Sequence, residues 1–160
     1  MANPLPNEKE LYERIKEENI SILPDIWDLL YHRIGDDITA INFLCQYYLD
    51  EKEPIPVFEA GKILLYTRHI KDINDKFTLY SKTDFAFPEF SYGMPLHPVL
   101  TDMFTHYIGN DTYMINLIVE DSIDPLNPKS VSIENIQKIL KYTHSLREFL
   151  NRLQQATSQE

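Results

Sequence analysis

The sequence predicts an all-α, single-domain bundle of six to seven helices with one aromatic-rich, non-helical crossover. Apolar residues recur at helical spacing through most of the chain, and prolines, glycines and capping residues separate these stretches. Along residues 63–77 and 136–153 the apolar steps alternate between three and four, which is the 3.5-residue period of bundle packing. Strand signals are poor everywhere, so helices are expected to build the core.

Length and composition are those of one globular domain. The chain has 160 residues, of which 43% are hydrophobic and 25% charged. A single domain over 1–160 can bury most of the surface that its unfolded chain exposes. We expect only residues 1–6 and 155–160 to be flexible. We find no internal repeat and no low-complexity segment.

The first part of the chain predicts three helices. Asn7 and Glu10 form a capping box for the first, with Leu11 and Ile15 on its apolar side. Pro24 is tolerated in the first turn of a second helix, for which Gly35 is the expected stop. A third helix follows directly. Its inner face should hold Ile38, Ile41, Leu44, Cys45 and Tyr48.

Four further helices or helix-like stretches are expected after the break near Pro56. Pro56 begins a long helix that carries the apolar seam of residues 63–77. Pro98 opens a helix that should end at Gly109, and Asp111 caps a sixth helix. That sixth helix is apolar on nearly all sides, so we expect it to be the most buried. Its core residues should include Leu117 and Ile118, and Ser132 caps the last helix.

Residues 84–98 form an aromatic segment among turn residues. Three interpretations are open. The segment packs as a strap between two helical blocks, it closes as a lid over a ligand pocket, or it is an exposed docking patch. Packing is favoured because four aromatics are a large apolar surface to leave mobile. A short β-hairpin around 76–92 is the main structural variant. The four aromatics are Phe85, Phe87, Phe90 and Tyr92.

Charge and cysteine content exclude some classes of function. The formal net charge is −10, and residues 1–60 hold thirteen acidic against five basic residues. Nucleic-acid binding is disfavoured because phosphate recognition requires a basic face. No apolar run has the length of a signal peptide or a membrane span, so no membrane association is expected. The lone Cys45 fits a reducing compartment, and a cytoplasmic location is expected.

A small-ligand pocket is one candidate site. It would lie under residues 85–97 and be lined by Phe87, Phe90, Tyr92 and His97. His97 lies between two prolines at a predicted helix start, which suits either a neutral ligand-binding imidazole or a simple cap. No Glu-x-x-His motif of a bundle metal site is present, so no metal and no cofactor are expected. No catalytic residue is identified.

The last helix is the other candidate site. Its seam has flanking charges and could pair with a protein partner or with a second copy of the chain. The alternative is an intrachain role, with residues 63–77 as the opposite seam. The interaction residues would be Ile139, Leu146, Leu150 and Leu153. The predicted function is therefore a non-catalytic cytoplasmic regulatory or protein-interaction domain, with a small-ligand, haem or metal sensor as the alternative.

Overall fold

The computed structural model describes residues 8–22, 24–82 and 97–157, which form five helices and contain no β-strand. Two of the helices consist of three contiguous segments. In chain order, α1 is Glu8–Glu17; α2 is Pro24–Asp28, Leu29–Ile34 and Gly35–Asp50; α3 is Val57–Lys82; α4 is Pro98–Met103, Phe104–Ile108 and Gly109–Ser122; and α5 is Ile133–Ala156.

The predicted helix ends at Gly35 and Gly109 are wrong. Each glycine closes a short π-helical segment and has helical backbone angles, with φ of −59° and −62°, so the helix continues through it. The residue with a left-handed φ after α2 is Lys52, at 57°. Because α2 and α4 each join two predicted helices, the described residues form five helices instead of six to seven.

The alternative of a short β-hairpin around 76–92 is not supported over residues 76–82. These residues are the last turns of α3, which ends at Lys82. Phe77 is buried there, and its ring lies 5.5 Å from that of Phe104, so tertiary packing outweighs the strand preference of the local sequence. The rest of the proposed hairpin, 83–92, lies outside the described residues, as does most of the aromatic segment.

The helix pairs α2–α3 and α4–α5 are two copies of one unit, so the expectation that the chain has no internal repeat is wrong. The first helix of each pair shares residues at identical spacing, and so does the second. Pro24, Asp28, His32, Ile34, Gly35, Asp37, Ile41 and Asn42 recur as Pro98, Asp102, His106, Ile108, Gly109, Asp111, Ile115 and Asn116. Lys62, Ile63, Leu64, Tyr66 and Thr67 recur as Lys138, Ile139, Leu140, Tyr142 and Thr143.

The two copies meet around a pseudo-two-fold axis. Ile55 and Val131 occupy equivalent places in the loops that join the helices of each pair. The Ile55 amide donates to the Val131 carbonyl at 3.0 Å, and the Val131 amide donates to the Ile55 carbonyl at 2.8 Å. Both side chains are buried. The axis therefore passes between these two residues.

Partly buried side-chain hydrogen bonds repeat the same symmetry. The Thr67 hydroxyl of α3 donates to the Asn116 amide oxygen of α4, and the Thr143 hydroxyl of α5 donates to the Asn42 amide oxygen of α2 at 3.2 Å. Accordingly α2 packs on α5 and α3 packs on α4. Each helix pair thus buries its apolar face against the other pair, and α1 packs on α5.

The core confirms part of the predicted set. Leu11 and Ile15 of α1 are buried, as are Ile63, Ile70, Ile73 and Phe77 of the α3 seam. In α4 the expectation for Leu117 and Ile118 is wrong. Leu117 is 43% exposed and Ile118 is half-buried, whereas Ile115 and Val119 are fully buried. Ala156 and Thr157 are buried too, so the packed part of the chain extends past the predicted boundary at 155.

Candidate functional site

A groove of about 600 Å³ runs between the outer faces of α2 and α3. It arises because successive turns of α2 from Asp36 to Tyr48 face the side of α3 that holds Glu59, Lys62 and Tyr66. Leu44 and Tyr48, which were expected in the core, are half-buried at this groove. We refer to it as the α2–α3 groove.

Large apolar side chains are exposed in and beside the α2–α3 groove. Phe43 is 76% exposed and Tyr47 is 54% exposed, and both line it. On α3, Phe58 is 77% exposed and Leu65 is 65% exposed. Phe58 and Leu65 are two helical turns apart and so share one side of α3. Between them lies Lys62, whose Nζ is 5.3 Å from the centre of the Phe58 ring. We call Phe43, Tyr47, Phe58 and Leu65 the apolar patch.

The second helix pair shows that the fold does not require an apolar surface at three of these positions; the counterpart of the fourth, Phe43, is the partly exposed Leu117. Three patch residues have charged counterparts, namely Asp121 for Tyr47, Glu134 for Phe58 and Lys141 for Leu65. Two of these counterparts form ordinary surface ion pairs: Asp121 lies 3.0 Å from Lys129, and Glu134 lies 3.8 Å from Lys138. The same backbone therefore accepts charge on one copy and shows aromatic surface on the other.

The rim of the α2–α3 groove has more acidic than basic groups. Its one lysine, Lys62, is paired with the Glu59 carboxylate at 3.0 Å, while Asp36 lines the opposite side. Burial and the nearby Glu59 carboxylate raise the pKa of the Tyr48 phenol, which keeps this hydroxyl neutral. The site thus combines aromatic surface, hydrogen-bonding hydroxyls and a negative rim.

The predicted ligand pocket is only partly within the described residues. His97 is the N-cap of α4, where its Nδ1 accepts a hydrogen bond from the Val99 amide at 3.2 Å. This bond uses the unprotonated nitrogen for helix capping. Phe87, Phe90 and Tyr92 lie outside the described residues, so this pocket stays a prediction.

The predicted interaction seam of α5 is buried within the chain. Ile139, Leu146, Leu150 and Leu153 are each at most 1% exposed. The partners of α5 are α2, α4 and α1, and the seam of residues 63–77 instead belongs to α3, which packs on α4. This burial corrects the expected docking role, because side chains inside the core offer no surface to another protein.

The remaining candidate groups also have structural partners. Cys45 is fully buried, and burial raises the pKa of its thiol to about 12, so the reactive thiolate is not formed at neutral pH. His69 hydrogen-bonds Asp37 of α2 through Nδ1. No group of three or more His, Cys, Asp or Glu able to hold a metal ion occurs in 8–22, 24–82 and 97–157. None of the helices described above is long and apolar enough to cross a membrane.

Comparison of the chain with protein-family models, with curated proteins and with solved structures finds no match. The internal repeat is therefore the comparison that distinguishes the apolar patch from the rest of the surface. Phe43 and Phe58 could not be recognised from the sequence alone, because an aromatic residue within a predicted helix can face either the core or the solvent. Aligning the two helix pairs supplies the missing signal, since Phe58 then stands opposite Glu134.

Proposed function

We propose that this chain is a non-catalytic cytoplasmic protein-interaction domain that binds a basic amphipathic helix of a partner protein in the α2–α3 groove. The observation that supports this most strongly is the contrast between the two helix pairs. Exposed aromatic residues appear on one pair where the other has charged residues, so the apolar patch is not explained by folding. Several large apolar side chains exposed in and beside one groove are typical of binding sites.

The dimensions suit a helix. The residues of α2 that line the groove extend from Asp36 to Tyr48, which is about 18 Å along a helix axis at 1.5 Å per residue. A guest helix of about three turns would span that length and could place apolar side chains at i, i+3, i+4 and i+7 against it. Phe43 and Tyr47 present rings that would become buried on binding.

Charge favours a basic partner over a second copy of this chain. The acidic N-terminal part of the sequence supplies α2 and the start of α3, and Lys62 is already paired with Glu59. A partner helix with lysines or arginines beside its apolar face would complement the negative rim. A second copy would bring two such rims together, and like charges at an interface oppose association.

The proposal is tested by replacing three residues of the apolar patch with the charged residues found at the equivalent positions of the second helix pair. The triple variant Tyr47→Asp, Phe58→Glu and Leu65→Lys carries side chains that the other helix pair already tolerates, so it should fold with a nearly unchanged melting temperature. Binding of a synthetic 14-residue leucine–lysine amphipathic helix is followed by NMR of the ¹⁵N-labelled chain. We expect shift changes at residues 36–48 and 58–66, and at least tenfold weaker binding by the triple variant.

Two controls make the outcome specific. Leu126 is 94% exposed but is not part of the patch, so Leu126→Ser should bind like the parent chain. A leucine–glutamate peptide of the same pattern should bind far more weakly because its charge matches that of the rim. Unchanged binding by the triple variant, or shift changes centred on α1, would refute the proposal. A dimer in light scattering that the triple variant dissociates would favour self-association instead.

A further inference from the structure

A smaller and more enclosed cavity of about 210 Å³ lies between α3 and α4, away from the α2–α3 groove. It is beside Gly109, at the end of the π-helical segment of α4. Polar and aromatic side chains surround it, among them Lys71, Asn74, Asp75, Thr112 and Tyr113. Glycine at 109 leaves this side of α4 without a side chain.

The equivalent place in the other half of the molecule is occupied by a guanidinium group. Arg147 of α5 is the counterpart of Lys71, and Gly35 is the counterpart of Gly109. The Arg147 Nη2 donates to the Gly35 carbonyl at 3.3 Å and to the Thr39 hydroxyl. A β-carbon on Gly35 would lie 3.7 Å from Nη1 of Arg147, so the guanidinium packs directly against this glycine.

No guanidinium takes this place in the α3–α4 cavity, because the α3 residue that corresponds to Arg147 is a lysine. The side-chain nitrogen nearest to a β-carbon at Gly109 is that of the Asn74 amide, at 3.7 Å. The Lys71 Nζ is paired with the Asp75 carboxylate one turn further along the same helix, at 2.7 Å. Thr112 lines the cavity and is only 3% exposed, and its hydroxyl has no hydrogen-bond partner among the described residues. A buried hydroxyl without a partner carries a desolvation cost that a ligand could remove.

We propose that this cavity binds the guanidinium group of a ligand in the position that corresponds to Arg147. A planar guanidinium would donate to the Gly109 carbonyl and to the Thr112 hydroxyl, and it would share the Asp75 carboxylate with Lys71. The ring of Tyr113 provides a face on which it can stack. The group could come from a small free compound or from an arginine side chain of a protein.

The test compares three probes by NMR of the ¹⁵N-labelled chain. L-Arginine carries the guanidinium, L-citrulline replaces it with a urea of similar shape, and N-acetyl-L-arginine methylamide imitates an arginine within a protein. We expect L-arginine to shift the amides of residues 71–75 and 109–113, and L-citrulline to bind at least tenfold more weakly. If the capped arginine binds more tightly than L-arginine, the natural ligand is an arginine side chain of a protein. If L-arginine binds more tightly, the natural ligand is a small free compound.

Two variants separate a specific site from surface attraction. Lys71→Arg supplies the chain's own guanidinium, so it should weaken L-arginine binding at least tenfold and raise the melting temperature. Lys138→Arg makes the same chemical change on the exposed side of α5 and should have no effect. Equal binding of L-citrulline, or undiminished L-arginine binding by a folded Lys71→Arg variant, would overturn the proposal. These results do not depend on whether the α2–α3 groove binds a helix.

Discussion

Asp111 is a carboxyl group held inside the molecule. It is 9% exposed, and burial raises its pKa above the ordinary value near 3.8, although hydrogen bonds with Ser145 and Asn110 oppose the shift. The folded state therefore binds the Asp111 proton more tightly than the unfolded state does. The stability that this proton contributes is fully present below the ordinary pKa and is lost as the pH rises through the folded-state pKa.

This linkage predicts how Asp111→Asn will behave. The amide imitates the protonated carboxyl, so the variant should resemble the parent chain near pH 4 and gain melting temperature relative to it near pH 7. Thermal unfolding followed by circular dichroism at both pH values measures the difference. Asp102→Asn, at an exposed position of the same helix, serves as the control. A difference that is equal at the two pH values would show that burial does not govern this carboxyl group.

At the scale of the element, α4 has a nearly uniformly apolar sequence, yet some of its side chains are buried in the core and others are exposed to solvent. Ile115→Ala should lower the free energy of unfolding by about 2–5 kcal/mol, because it removes a fully buried side chain. Leu117→Ala should cost less than about 1 kcal/mol, because Leu117 is 43% exposed. Urea denaturation of both variants tests this. Similar costs for the two changes would mean that α4 is rotated about its axis.

The helical content, the start of α5 and the seam of α3 could be predicted from the sequence, because they depend on local capping and on a clear 3.5-residue spacing. Ser132 caps α5 as expected, with its hydroxyl accepting from the Asn135 amide at 3.2 Å. The faces of α4 could not be predicted, since a stretch that is apolar on all sides has no periodic signal that tells inside from outside.

The predicted helix ends at Gly35 and Gly109 were wrong for a different reason. Gly35 and Gly109 resemble helix-ending residues, but each leaves room for a side chain of another helix. Arg147 lies beside Gly35, and the Asn74 amide nitrogen would be 3.7 Å from a β-carbon at Gly109. That nitrogen also donates to the Phe104 carbonyl at 3.2 Å, within the π-helical segment. Such contacts between distant parts of the chain are not visible in a local pattern.

At the scale of the whole molecule, the repeat was missed because only part of each helix is shared. The identical residues include glycines, the paired Asn and Thr, and core positions such as Ile41 and Ile115, which the fold requires twice. Residues that face solvent differ, as Phe58 and Glu134 do. Because the solvent-facing residues of the two helix pairs differ, the repeat is hard to detect in the sequence. The same differences distinguish the α2–α3 groove from the equivalent surface of the other pair.

The Ile55–Val131 pair has a consequence for native-state hydrogen exchange. Both amides belong to loops, which usually exchange fast, yet each is hydrogen-bonded to the other half of the chain. Neither can exchange until the two helix pairs separate, so we expect both to be protected as strongly as core helix amides and to exchange at similar rates. Rapid exchange at either amide would contradict this. If both amides are protected, their common exchange rate measures how often the two helix pairs of the molecule separate.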